Sequence, residues 1–165
     1  MKTITYDLVK SYAPCYDPKY ITDDLDKEYT PREFILEFRD KVKKKEDILW
    51  VLLRNDFMSD KDMRLFAVWC AREALKLVDN PDPRSINACD VAERYANGEA
   101  TDEELAAAWA AARAAARAAE WAAGRDAGRD AALAAEWAAE WAAVRDAARA
   151  DALDKQIDKL LTYFE

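Results

Sequence analysis

Residues 105–153 read LAAAWAAARAAARAAEWAAGRDAGRDAALAAEWAAEWAAVRDAARADAL, and the spacing within this stretch decides the fold class. Large side chains fall four apart without a slip: Leu105, Trp109, Arg113, Arg117, Trp121, Arg125, Arg129, Leu133, Trp137, Trp141, Arg145, Arg149 and Leu153, continuing to Ile157 and Leu161. Alanine takes 26 of the 48 positions from 105 to 152. It loses no side-chain freedom on entering a helix, so a run this dense reads as helix and nothing else. Glu120–Leu133 and Glu140–Leu153 agree at 10 of 14 positions, twenty residues apart, which marks a duplication.

A step of four residues turns about 400° on a helix of 3.6 residues per turn, so the row drifts by about 40° at each step. One straight helix therefore cannot keep the row on a single face. A continuous helix over 101–152 would be about 78 Å long, against a radius of gyration of about 15 Å for a compact chain of this size. The segment is expected either to project as a long helix or to fold as a helical hairpin. Gly124 and Gly128 are its only glycines, and they place the favoured break near 123–130. Glycines four apart also allow close helix approach, so they do not by themselves require a turn.

Upstream, helix signals recur. A short helix is expected around 5–12. Thr30-Pro31-Arg32-Glu33 reads as a capped start, with Thr30 as cap, Pro31 in the first turn and Glu33 returning a hydrogen bond. Phe34, Ile35, Phe38 and Val42 keep helical spacing behind it. The apolar run Ile48–Leu53 is poor in β-branched residues and reads as a buried helix, which makes Trp50 a core residue; Trp69 is read likewise. Ser59 with Asp62 opens a helix expected to bury Met63, Phe66, Ala67, Cys70, Ala74 and Leu77. Pro81 and Pro83 end it. The next helix starts at Pro83, with Ile86, Cys89, Ala92 or Val91, and Tyr95 at core spacing, and Gly98 closes it. Thr101 with Glu104 opens the repeat. No alternating strand pattern survives, so the expectation is all-α. It is a single helical bundle made of an N-terminal segment (1–44), a helical body (45–100) and the alanine-rich helices (101–165), the last continuous with the body.

Composition narrows the chemistry. The chain has 165 residues, a net charge of −8, no histidine, three cysteines and three glycines. Without histidine there is no Ser-His-Asp triad, no Cys-His pair and no histidine zinc ligand. Cys15, Cys70 and Cys89 are widely spaced and odd in number, which argues against a disulfide framework or a four-thiolate metal site. Three glycines cannot build a phosphate loop. Asp23, Asp24, Asp26 and Glu28 lack the spacing of a calcium loop and read as a solvated acidic stretch. No enzyme, catalytic residue, metal or cofactor is expected. Residues 1–100 carry 17 basic and 20 acidic side chains, residues 101–165 carry 8 and 13. Both halves are acidic, and only Lys41, Lys43, Lys44 and Lys45 form a local basic run, so direct binding to duplex nucleic acid is disfavoured. No stretch is apolar enough for a membrane span, and the N-terminus is charged where a signal peptide is apolar, so a cytoplasmic protein is expected.

The residues expected to meet a partner or ligand are Trp109, Arg113, Arg117, Trp121, Arg125, Arg129, Trp137, Trp141, Arg145 and Arg149. Tryptophan and arginine dominate protein hot spots. The same pair of residue types stacks bases and holds phosphates. At i, i+4 each Trp–Arg step could form a cation–π pair. A self-satisfied bundle, with Asp126, Asp130 and Asp146 serving the arginines, uses the same residues for structure alone.

At the join between body and repeat, Asp82-Pro83-Arg84-Ser85, Ala88, Ala92-Glu93-Arg94-Tyr95-Ala96, Gly98-Glu99-Ala100 and Glu104-Leu105 run into the Ala-, Arg- and Trp-rich tail. This pattern resembles an immunity-protein domain family of bacteria, phages and prophages. Glu46-Asp47-Ile48-Leu49-Trp50 and Arg64-Leu65-Phe66-Ala67 through Ala71 are similar to earlier helices of the same domain. The resemblance covers about residues 45–160; residues 1–44 do not fit it. It implies an all-α, non-enzymatic protein in a bacterial host cell that neutralises a toxin or a host defence effector, for example the CRISPR machinery, by binding it. Two alternatives stand beside this reading: a nucleotide-binding sponge for a defence signal, acting through the Trp/Arg row, and a structural helical module that self-associates into a homo-oligomer.

Overall fold

The computed structural model describes residues 2–15, 17, 26–42, 44–127 and 148–164, with side chains for all of these except 119–127. The protein is all-α. Among the described residues the helices are α1 (Tyr6–Ser11), α2 (Pro31–Phe38), α3 (Glu46–Leu52), α4 (Asp60–Leu75), α5 (Pro83–Ala96), α6 (Asp102–Ala127) and α7 (148–161), followed by a 3-10 turn at Thr162–Phe164. Among the described residues, extended backbone pairs only at one antiparallel bridge, Ile4 with Tyr29.

Local chemistry accounts for the helix ends. Thr30 Oγ1 accepts from the Glu33 amide at 3.2 Å, and the Glu33 carboxylate accepts from the Thr30 amide at 2.9 Å. This reciprocal capping satisfies two amides that the first turn leaves without partners. Thr101 and Glu104 repeat the arrangement at 3.2 and 2.8 Å at the start of α6. Ser59 Oγ accepts from the Asp62 amide at the start of α4. At the end of α5 the chain turns through Gly98, φ +77°. The Gly98 amide donates to the Tyr95 carbonyl at 3.0 Å and the Glu99 amide to the Arg94 carbonyl at 2.8 Å. Together these are the two bonds of a Schellman motif. A side chain at 98 would meet nothing within 4 Å, so only its backbone conformation resists substitution. Gly98→Ala is expected to cost about 1 kcal/mol, read as a lower urea midpoint with an unchanged slope.

The chain divides into two compact units. The first comprises Met1–Met63 and Ala150–Glu165, and the second Arg64–Arg149. In the first, Ile4, Val9, Phe34, Ile35, Ile48, Val51, Leu52, Ile157 and Leu160 are fully buried. The rings of Tyr29, Phe34 and Phe38 meet at centroid distances between 5.0 and 6.4 Å. Lys45 pairs with Asp154, and Arg39 with Asp158 at 2.9 Å, so α7 is tied to residues more than a hundred positions earlier. In the second unit α5 and α6 form a hairpin. Ala88 and Val91 pack on Ala108, with Ala100, Leu105 and Ala112 around them. Arg94 reaches Glu104 at 2.9 Å, and Arg72 of α4 spans Asp90 and Glu93 of α5 at 2.9 and 2.6 Å.

Several expected core positions prove exposed. Trp50 is 36% exposed, Ile86 43% and Leu77 82%; Ala67 and Ala74 also face solvent. Helix α4 ends at Leu75, before the prolines, so Leu77 lies beyond it. The buried positions of α4 are Phe66 and Val68, and α5 buries Ala88, Cys89 and Val91. The expected break near 123–130 is passed at its start, since α6 runs unbroken through Gly124 to Ala127; Gly128 and the rest lie outside the described residues.

Candidate functional site

The covered side of α6 is set by Ala108 and Ala115, both 5% exposed, with Leu105, Ala111 and Ala112 half-buried beside them. Taking about 100° per residue, these positions span one side of the helix and leave the opposite side bare. The four-residue row starts on the edge of the covered side at Leu105 and then drifts off it. Trp109 is 51% exposed, and Arg113 and Arg117 are exposed in turn. Trp109, Arg113 and Arg117 thus form one strip on the open face of α6. Neither arginine makes an ion pair with a described residue, and no cation sits over the Trp109 ring among the described residues. The expected cation–π pairing within the row is therefore not formed by Trp109 and Arg113.

The other row residues lie outside the described side chains or, in the case of Arg149, on α7. The backbone of Trp121 and Arg125 continues α6, while their side chains lie outside the described residues, as do Arg129, Trp137, Trp141 and Arg145 altogether. The aspartates expected to serve the arginines, Asp126, Asp130 and Asp146, fall there too. Arg149 is exposed on α7 and engaged in an interaction of its own.

A second constellation, in the first unit, escaped the sequence reading. The Arg54 guanidinium lies 4.0 Å from the Tyr12 ring centroid and 4.5 Å from that of Trp50. The two rings meet edge to face at 6.1 Å. Arg54 Nε donates to the Trp50 carbonyl at 3.1 Å. Tyr12 Oη donates to Asp56 at 2.7 Å, and Lys2 Nζ pairs with the other carboxylate oxygen at 2.5 Å. The signal was present in the sequence as a Trp and an Arg at i, i+4, the same step as in the repeat. These groups satisfy one another and join the end of α1 to the turn after α3, which is the work of a tie.

This tie titrates in two directions. Hydrogen bonding by Lys2, then by Tyr12, holds the Asp56 carboxyl below its ordinary value. Burial, then the Asp56 hydrogen bond and charge, pushes the Tyr12 hydroxyl well up. A depressed carboxyl contributes stability above its unfolded pKa of about 4, lost as pH falls through the folded value. A raised phenol contributes below about 10, lost as pH rises beyond it. Stability against urea is expected to fall at both ends, and Tyr12→Phe to flatten the alkaline fall while shrinking the acid one.

Other candidates are consumed by structure. Lys41 pairs with Glu37 one turn back and Lys45 with Asp154; Lys43 lies outside the described residues. Burial pushes up the thiols of Cys70 and Cys89, which disfavours their thiolate forms. Among the described residues no group of three or more His, Cys, Asp or Glu could hold a metal ion, and no helix is long and apolar enough to cross a membrane. Asp23 and Asp24 lie outside the described residues. Comparison with family models, with curated proteins and with solved structures finds no match to this chain.

Proposed function

We propose that this protein is a non-enzymatic inhibitor that acts by binding a protein partner, of the immunity or anti-defence kind, in the cytoplasm of a bacterial host cell. The observation that carries the reading is the strip on α6: a half-exposed Trp109 followed by Arg113 and Arg117, each without a described ion-pair partner. An exposed indole beside two guanidinium forks, neither ion-paired with a described residue, gains most when a partner covers it. The resemblance at residues 82–105 supplies the class of partner, a toxin or a defence effector. Native mass spectrometry of tagged protein from cells expressing such an effector tests it. A stoichiometric mass increment matching that effector supports the reading. A bare chain, or an increment of a few hundred daltons that marks a bound nucleotide, overturns it.

A further inference from the structure

The open face of α6 carries charge of both signs in a fixed order. On a wheel with about 100° between residues, Glu103, Ala106, Ala110, Arg113 and Arg117 cluster at the centre of the exposed side, with Trp109 at its edge. Every one of them is exposed. Acid stands at the N-terminal end of this face and base two to four turns later, while alanines separate them. Glu103, like the two arginines, makes no ion pair with a described residue. Such a face is complementary to itself when reversed.

We propose that this face pairs, antiparallel and about a two-fold axis at Ala110, with the same face of a second copy of this chain. With the axis there, residues at the same level have numbers summing to 220, so Glu103 faces Arg117 of the second copy and Arg117 faces its Glu103. Arg113 lies about 6 Å nearer the axis than Arg117, close enough for its long stem to share the same glutamate. Ala106 and Ala110 let the two backbones approach at the short end of the usual 8–10 Å separation. Each Trp109 stands one residue from the axis and closes the flank of the crossing, burying an indole that the monomer leaves half in water. The contact is isologous and closes on itself, giving a dimer rather than a filament.

The proposal goes beyond the inhibitor reading and does not depend on it. The two share Trp109, Arg113 and Arg117, so dimer and inhibited complex would exclude one another, whereas Glu103 belongs to the dimer alone.

One pair of helix faces is a small interface, so dimerisation is expected in the micromolar range, with the sedimentation mass doubling between about 5 and 200 µM. Glu103→Arg and Arg117→Glu are each expected to hold the chain monomeric over that range, with circular dichroism unchanged. Mixing the two variants restores both ion pairs in a heterodimer, and the double variant E103R/R117E restores them in a homodimer. A wild-type chain that stays monomeric to about 200 µM overturns the proposal. So does a mixture that dimerises no better than its components, or single variants that dimerise as well as wild type.

Discussion

Phe34→Ala is expected to cost about 3–5 kcal/mol, the largest loss of stability that one substitution in this chain should produce. The side chain is fully buried, and its ring lies 5.0 Å from that of Phe38 and 6.4 Å from that of Tyr29. Removing it leaves the two neighbouring rings facing a void. Helix α2 closes that void poorly, because Pro31, Ile35 and Phe38 are buried along the same helix and the Arg39–Asp158 pair ties its end to α7. With a total stability of about 5–15 kcal/mol for a protein of this kind, the variant is expected to be partly unfolded near room temperature in low urea. Leu36→Ala, on the same helix but 52% exposed, is the control and should stay within about 0.5 kcal/mol of wild type. Equal losses in the two variants would place the core elsewhere.

What was legible in the sequence was local. The caps at Thr30, Ser59 and Thr101 and the stop at Gly98 depend on residues three to five apart, and each forms as the pattern predicts. The buried faces of α4 and α5 were less legible. Helical period says which residues share a face, but the element that covers them chooses the face. Ile86 and Leu77 fit an apolar stripe by period and yet face solvent, whereas Val68 and Val91 are covered. Trp50 looked like core within an apolar run, but its ring turns outward to Tyr12 and Arg54, residues whose approach no local pattern encodes. The return of α7 to Lys45 and Arg39 is equally non-local. For the site, the row itself was plain, but its phase was hidden. The alanines at 108 and 112 that pack on α5 are chemically identical to those at 106, 110 and 114 that face water. Only the position of α5 distinguishes them, and that turns Trp109, Arg113 and Arg117 outward among the described side chains of α6.

If that strip is the surface that meets a protein partner, Trp109→Ala alone should weaken binding by about 30-fold or more, since an indole at a hot spot contributes about 2 kcal/mol or above. Arg113→Ala and Arg117→Ala should each weaken it less, because each leaves the other fork in place. The triple variant should not show the product of the single losses: the three residues share one patch and their effects couple. Stability should change by no more than about 0.5 kcal/mol in any of them, as each side chain stands on the open side of α6, away from Ala108 and Ala115. Lysine substitution separates charge from shape. R113K/R117K keeps both charges, so binding that survives it depends on the field of the strip, while binding lost with it depends on the planar forks and their paired hydrogen bonds. Calorimetry and dissociation rates should agree on the ranking, since interface variants of one complex differ mainly in how fast they release. Titrations at chain concentrations well below the dimerisation range keep the second copy out of the measurement. Glu103→Arg then supplies the cross-check: it removes the self-pairing, leaves Trp109 and both arginines in place, and should leave partner affinity at least as strong as in wild type.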